Sequence, residues 1–220
     1  MQRPENRCQQ RAGLIVKRIL KQLAYYCLSP ILVRRGKGPG IHITFDDGPH
    51  PVNTPEILDI LDRFECKATF FLIGGEAEKH MNLVREILAR GHAVGFHSYS
   101  HLSNKKCSFR EFRDDFGKLE KLERDLATEI RLYRPPYGDM TLRTLCWLAL
   151  TRRKIIMWSL DSRDSFDEAD DIVRTLDPGN IGSGEIILFH DDYDLTVELL
   201  PSILERLHRR GLRSSAIANG

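Results

Sequence analysis

Two adjacent aspartates, Asp46 and Asp47, end a short apolar run and precede a Gly-Pro pair. Neighbouring carboxylates repel each other unless a cation lies between them or one of them holds a proton. Acidic side chains at the end of a buried strand are typical of the catalytic edge of α/β folds, but Asp and Gly are also ordinary turn formers. The pair by itself therefore indicates either a chemical site or a surface turn.

Two histidines, His97 and His101, stand four positions apart at the end of a later apolar run. On one helical turn they would share a face, so that both imidazoles could bind one metal ion. The spacing resembles that of zinc proteases, but Ser98 stands where those enzymes place a catalytic glutamate. Together with a neighbouring carboxylate, the pair makes a two-histidine, one-carboxylate set that suits zinc. A bound cation would offset the repulsion between Asp46 and Asp47, so that one could bind metal and the other could accept a proton.

Short apolar runs alternate with amphipathic stretches through the chain, and this alternation predicts a parallel sheet with right-handed crossovers. The predicted strands cover residues 41–45, 68–73, 93–97, 130–134, 154–160, 185–189 and, weakly, 212–217. Helices are predicted near residues 54–64, 77–90, 108–127, 141–152, 167–176 and 196–210. Seven such units favour a closed or nearly closed β/α barrel in a single domain, although periodicity alone leaves an open sheet possible.

The polar residues of interest all lie at the carboxyl ends of predicted strands, and in a parallel barrel these ends share one rim. We therefore expect the following residues to meet there: Asp46, Asp47, His97, His101, Arg134, Asp161, Asp164 and His190.

Composition narrows the function classes. The chain has 220 residues and a formal net charge of only +2, which gives no argument for a nucleic-acid partner. Its five cysteines form no C-x-x-C pair, so neither a disulfide framework nor a cysteine zinc site is indicated. Free thiols suit a reducing compartment, and the sequence predicts a cytoplasmic protein.

The first 40 residues differ from the rest and are predicted to form an N-terminal amphipathic helix with a lead-in to a domain spanning residues 41–220. Lys17, Arg18 and Lys21 interrupt the apolar positions, which excludes a transmembrane span or the apolar core of a secretory signal. The helix could pack on the barrel exterior, which is the favoured interpretation. It could instead lie on an anionic membrane surface through residues 13–29, which would place the protein on the inner face of the cell membrane.

Four runs of this sequence resemble, in order, motifs of the polysaccharide deacetylase family, also called the NodB-homology domain or carbohydrate esterase family 4. The runs are TFDDGP (44–49), HSYSH (97–101), RPPYG (134–138) and LFHD (188–191). The resemblance covers about residues 41 to 217. It implies a distorted (β/α)7 barrel and the metal-dependent removal of N-acetyl, or sometimes O-acetyl, groups from sugars.

The same resemblance implies a role for each site residue. Asp46 would be the general base, and the metal ligands would be Asp47, His97 and His101. Arg134 would pair with Asp46, and His190, paired with Asp164, would be the general acid. Tyr137 would supply a backbone N–H to the developing oxyanion beside the metal, Leu188 would line the pocket for the acetyl methyl group, and Pro136 would help to bind the substrate. The family usually has Trp after the acid that pairs with the histidine, whereas this chain has Ser165, so the aromatic wall of its groove is either open or supplied from elsewhere.

The leading hypothesis is a metal-dependent N-deacetylase, using zinc or else cobalt or another divalent cation, that acts on an N-acetylated hexosamine in a glycan, oligosaccharide or lipid-linked sugar. Two alternatives stay open: a metal-dependent amidase for a non-sugar C–N bond, and a carbohydrate-binding or scaffold protein with a vestigial site. The sequence indicates neither the sugar nor the oligomeric state.

Overall fold

The computed structural model of this protein describes residues 31–218, and in that part of the chain eight short parallel strands form one sheet. In chain order they are β1 (Leu32–Val33), β2 (His42–Asp46), β3 (Ala68–Leu72), β4 (Ala93–Phe96), β5 (Leu132–Tyr133), β6 (Lys154–Ile156), β7 (Leu160–Asp161) and β8 (Ile186–His190). Their order across the sheet is β1-β6-β5-β4-β3-β2-β8-β7. The predicted parallel α/β architecture is confirmed. The sheet also takes in β1, which lies within the segment predicted as a lead-in.

The sheet curls into an incomplete barrel. Ile156 on β6 and Ile186 on β8 belong to one buried cluster with Phe71 and Leu132, although four other strands separate β6 from β8 in the sheet. Such contacts require the sheet to bend back on itself. Only residues 157–159 join β6 to β7, which pairs with β8 at the opposite end of the sheet order.

Two sequence predictions about strands are wrong. The predicted strand at residues 154–160 is two strands, because β6 ends at Ile156 between β5 and β1, and the chain then pairs with β8 from Leu160. The weak strand at 212–217 is reduced to one isolated parallel bridge between Ile41 and Ser214. Each break occurs where the curled sheet offers no continuous neighbour for the segment.

Eight helices follow the strands in the described part of the chain. They are α1 (Asn53–Arg63), α2 (Gly74–Lys79), α3 (Met81–Ala89), α4 (Phe109–Gly117), α5 (Leu119–Leu126), α6 (Leu142–Leu150), α7 (Ala169–Thr175) and α8 (Asp194–Arg209). The predicted helices near 77–90 and 108–127 are each two helices, which break at His80 and Lys118. Ser108 begins α4 with a capping box, in which Ser108 and Glu111 satisfy each other's backbone N–H groups.

Alternating strand residues supply two apolar layers. Ile43, Phe45 and Phe70 point outwards into the main core beneath the helices, whereas Phe71 belongs to the smaller cluster inside the curl. Burying a side chain of this size contributes about 1.5–3 kcal/mol. The inner cluster fills the centre of the barrel. The polar side chains lie above it, at the carboxyl ends of the strands.

The predicted N-terminal amphipathic helix falls within residues 1–30, outside the described residues. Among residues 31–218, no helix has the length and apolar character needed to cross a membrane.

Candidate metal-dependent active site

A cavity of about 450 Å³ opens at the carboxyl ends of the strands. Eight of the residues expected at this site line it: Asp46, Asp47, His97, His101, Tyr137, Asp161, Leu188 and His190. Arg134 and Asp164 are buried directly behind lining residues to which they are bonded. Pro136 is buried in the short 3-10 turn Pro136–Gly138 and does not line the cavity. The predicted rim therefore exists, and only Pro136 lies apart from the cavity itself.

Asp47, His97 and His101 place three ligand atoms around one point. Asp47 Oδ1 lies 3.4 Å from His97 Nε2 and 3.2 Å from His101 Nε2. Zinc bonds of about 2.0–2.1 Å in a tetrahedral arrangement separate ligand atoms by about 3.3 Å, which matches this spacing. Asp47 Oδ1 is also buried and has no hydrogen-bond partner among the described residues. A cation bound between these three atoms would compensate for the missing partner. The three side chains therefore fit a divalent metal.

The hydrogen bonds of His97 suit it to metal binding. Its Nδ1 lies 2.8 Å from the backbone oxygen of Arg134, so Nδ1 carries the proton and donates it to that carbonyl. The lone pair is then left on Nε2, the atom that faces Asp47. Burial lowers the pKa of His97, and this effect exceeds the opposing influence of the nearby carboxylates. The imidazole is thus kept neutral, as a metal ligand must be.

The two histidines meet through a loop, so the prediction that they share one helical turn is wrong. Ser98 and His101 have left-handed backbone angles, with φ of 62° and 54°, which no helical turn contains. Asp115 on α4 holds the loop: its Oδ2 accepts from the N–H of Tyr99 at 2.7 Å, and its Oδ1 from the N–H of Ser100 at 3.0 Å. Asp115 therefore compensates for the unfavourable backbone that brings the two rings together.

Asp46 forms an ion pair with the fully buried side chain of Arg134. Arg134, which is 0% exposed, donates from Nη1 to Asp46 Oδ1 at 2.7 Å and to Thr44 Oγ1 at 2.8 Å. Its guanidinium also stacks on the ring of Phe71, 4.1 Å from the ring centroid. The other carboxylate oxygen, Asp46 Oδ2, lies 3.7 Å from His97 Nε2. The predicted Arg134–Asp46 pair is present, and it leaves Oδ2 facing the metal-binding atoms.

His190 and Asp164 form the second predicted pair. Asp164 Oδ1 lies 2.8 Å from His190 Nδ1, while Asp164 Oδ2 accepts from the His190 backbone N–H and from Thr196 Oγ1. Burial alone would lower the pKa of His190. The hydrogen bond and charge of Asp164, with the charges of Asp46 and Asp47, outweigh burial and raise this pKa to about 9. Nδ1 is engaged by Asp164, so Nε2 is the nitrogen free to exchange a proton with a substrate.

Gly48 lets a buried carboxyl group pack against the aspartate pair. A Cβ atom at position 48 would lie only 2.1 Å from Asp191 Oδ2. That oxygen accepts from Thr54 Oγ1 at 2.6 Å, and the Asp191 side chain is fully buried. Burial, together with the charges of neighbouring aspartates, raises the pKa of Asp191 to about 7. Glycine at position 48 is therefore required by this close approach.

Sequence patterns did not identify the aromatic part of the cavity. Trp158, Phe166 and Tyr193 line it but belong to none of the quoted motifs. Each lies on a loop after a strand of the sheet, and that position is the one signal that could have marked them. The structure thus answers the question left by Ser165, which also lines the cavity: aromatic side chains are present, at other positions.

Comparison with known proteins agrees with this geometry. Residues 34–151 match the family model described as polysaccharide deacetylase. A peptidoglycan-N-acetylglucosamine deacetylase of Bacillus cereus is 36% identical over 79% of this chain, which covers 65% of that relative. A chitooligosaccharide deacetylase of Sinorhizobium fredii is 33% identical, with 87% of this chain and 95% of the relative covered.

Solved structures give the same result. The crystal structure of a peptidoglycan N-acetylglucosamine deacetylase with bound 4-naphthalen-1-yl-N-oxidanyl-benzamide superposes with a TM-score of 0.79 at 34% identity. The superposition covers 85% of this chain and 91% of that one. The ordered motifs, the curled parallel sheet and these matches lead to one conclusion: this chain belongs to the polysaccharide deacetylase family.

Proposed function

We propose that this protein is a metal-dependent hydrolase that removes N-acetyl groups from an N-acetylated hexosamine in a glycan, oligosaccharide or lipid-linked sugar. The observation that carries the proposal is one cavity with three parts: the ligand set of Asp47, His97 and His101, the anchored base Asp46 and the protonated His190. The names of the similar proteins, deacetylases of peptidoglycan and of chitooligosaccharides, support the substrate class.

A bound divalent cation, which we propose to be zinc or else cobalt, would lower the pKa of a water molecule and polarise the acetyl carbonyl. Asp46 would take a proton from the attacking water through Oδ2, because Arg134 occupies Oδ1. Arg134 is completely buried, so it acts as a positioning residue that keeps Asp46 oriented. The carboxylate is thereby fixed before the substrate arrives, which is how preorganised groups accelerate reactions.

His190 would supply the proton that the departing nitrogen needs. Water adds to the acetyl carbon, the C–N bond breaks, and the amine leaves with the proton from His190 Nε2 while acetate is released. An amine is a poor leaving group without this proton, and general acid catalysis of this kind typically contributes about 10²–10⁴-fold. The charge on Asp164 keeps His190 protonated near neutral pH. Leu188, at the cavity wall, would contact the acetyl methyl group.

The proposal is tested by acetate release from metal-loaded protein. Substrates are N-acetylglucosamine oligomers, peptidoglycan fragments and lipid-linked N-acetyl sugars, beside small non-sugar acetamides. We expect acetate from at least one sugar substrate, loss of that activity in a chelator, and recovery when zinc or cobalt is added back. Turnover of the non-sugar amides alone would show an amidase instead. Tight sugar binding without turnover would show a binding protein.

The location of the protein stays a separate prediction. Fractionation of cells that express the full chain would separate the cytoplasmic prediction from attachment to the membrane through residues 13–29.

A further inference from the structure

A second cavity, of about 770 Å³, lies toward the amino ends of the strands. His42, the first residue of β2, and Lys154, the first residue of β6, both line it. Ser215 also lines it, and the N–H of Ser215 donates to the oxygen of Ile41, just before β2. The candidate active site lies at the carboxyl ends instead, and none of the described residues lines both cavities. A molecule bound in the second cavity would therefore be separate from the reacting groups.

The charged side chains along this second cavity are all basic. They are Lys154 and three residues of the segment 34–37, here called the basic strap: Arg34, Arg35 and Lys37. Arg34 and Lys37 are exposed, and neither forms an ion pair with any residue that the structure describes. The candidate active site has the opposite character, with aspartates and no Lys or Arg along its wall. A concave surface with one sign of charge attracts molecules of the opposite sign, so this cavity favours an anion.

Contacts with buried groups hold the basic strap in place. Arg35 Nη2 lies 2.6 Å from Oε1 of Glu185, whose side chain is almost fully buried. The N–H of Gly36 donates to the oxygen of Gly184 at 2.7 Å, and a Cβ atom at position 36 would overlap the ring of His42. The two unpaired basic side chains of the strap therefore stand on a fixed backbone. A fixed backbone lowers the entropy that is lost when a ligand binds.

The wall behind these charges is apolar. Val33, Ile156 and Ile217 line the second cavity, and all three belong to or pack against the inner cluster at the centre of the barrel. A free inorganic anion would leave this apolar wall uncovered. A molecule that carries a phosphate next to a hydrocarbon chain would contact both the basic strap and the wall, as ligands of mostly apolar sites with a few polar groups do.

The preceding part of the sequence adds positive charge and does not neutralise the basic strap. Residues 1–30 contain six Lys or Arg and a single acidic residue, Glu5. They join the described part of the chain at Ile31, whose oxygen accepts from the N–H of Ile155 at 2.6 Å. Both sequence neighbours of Ile155 line the second cavity. The negative charge that complements the strap must therefore come from another molecule.

We propose that the second cavity binds an anionic phospholipid and thereby holds the amino end of the barrel on a negatively charged membrane surface. The phosphate lies beside Arg34 and Lys37, and part of an acyl chain covers Val33, Ile156 and Ile217. The opening of the candidate active site, at the other end of the strands, then faces away from that surface. This inference is independent of the proposed function.

The test measures how tightly the full chain binds vesicles of phosphatidylcholine, with and without phosphatidylglycerol, by co-sedimentation. We expect binding to the vesicles that contain phosphatidylglycerol and none to phosphatidylcholine alone. Arg34→Gln/Lys37→Gln should bind about 30-fold more weakly, or about 2 kcal/mol for two charges near an anionic surface. The matched control is Arg110→Gln/Arg113→Gln, which removes the same charge from α4, outside the second cavity, and should bind like the wild type. Urea unfolding should show that all three proteins are folded.

A competition experiment separates a lipid from a free anion. Water-soluble dihexanoylphosphatidylglycerol should displace the wild type from the vesicles, whereas glycerol phosphate at the same concentration should not. Equal displacement by both compounds would show a site for free phosphate and overturn the inference.

Three results of the vesicle assay would also overturn it. The wild type could fail to prefer vesicles with phosphatidylglycerol, or Arg34→Gln/Lys37→Gln could bind as tightly as the wild type. The control on α4 could also lose as much affinity as the strap variant, which would show charge attraction without a site. None of these results bears on acetate release, so the proposed function is tested separately.

Discussion

Replacing Asp164 with asparagine should move the alkaline limit of the reaction to lower pH. The carboxylate of Asp164 lies 2.8 Å from His190 Nδ1, and the pair is nearly enclosed, with the two side chains 1% and 16% exposed. Asp164, with the more distant charges of Asp46 and Asp47, raises the pKa of His190 from its ordinary 6.5 to about 9. A difference of about 2.5 in pKa corresponds to about 3 kcal/mol in favour of the protonated imidazole, at 1.36 kcal/mol per unit.

The assay is the pH dependence of kcat/KM for acetate release. Activity should fall on the alkaline side as His190 loses its proton, and in Asp164→Asn this fall should occur up to about 2 pH units lower. A bound divalent cation would lower the pH at which the alkaline limb occurs, but it would do so in both proteins, so the difference between them would remain. Thr196→Val is the matched control, because it removes a hydrogen bond to Asp164 without removing the charge. An alkaline limb at the same pH in the wild type and Asp164→Asn would refute the reasoning.

Stability should respond to pH in the same direction. The folded-state pKa of His190 lies above the ordinary value of 6.5, so the His190–Asp164 pair stabilises the fold fully below about pH 6.5. That stabilisation is lost as the pH rises through about 9. The free energy of unfolding in urea, measured below pH 6.5 and above pH 9, should be lower at the higher pH in the wild type. The decrease should be smaller in Asp164→Asn.

Two further predictions concern groups behind the cavity. Arg134→Met should lower the free energy of unfolding in urea by about 3–5 kcal/mol, because it strands the buried charge of Asp46. The double variant Arg134→Met/Asp46→Asn should recover much of the lost free energy of unfolding. An equal loss in the single and the double variant would contradict the ion-pair explanation. Asp115→Ala should weaken zinc binding about 10–100-fold in a competition titration with a chromophoric chelator, since it frees the loop N–H groups of Tyr99 and Ser100. Asp115→Asn should lose less, and wild-type affinity in Asp115→Ala would show that the loop holds its shape unaided.

The rim of the barrel was predictable because parallel strands present their carboxyl ends together. The aspartate pair, His97, Arg134 and His190 follow separate strands, and the structure places all of them within one site. A local sequence pattern is enough to predict this meeting, because it requires only that each residue lie at the carboxyl end of its own strand.

The failures arise where distant contacts determine local shape. The segment at residues 154–160 has one continuous apolar pattern, yet it breaks in two because β7 pairs with β8 across the curl. The loop from His97 to His101 has helical spacing, but Asp115, which is distant in the chain, stabilises left-handed backbone angles instead. The aromatic lining from Trp158, Phe166 and Tyr193 depends on where three separate loops lie in the fold, which no local pattern encodes.

The most direct test of the account is the metal content and activity of Asp46→Asn beside His97→Ala. Asp46 Oδ2 lies only 3.7 Å from His97 Nε2, but we propose different roles for the two residues, base and metal ligand. Asp46→Asn should keep one divalent ion per chain by elemental analysis and lose about 10²–10⁴-fold in acetate release, as expected for removal of a general base. His97→Ala should lose the metal. Equal metal loss in both proteins, or full turnover by Asp46→Asn, would contradict the division of roles between the two aspartates.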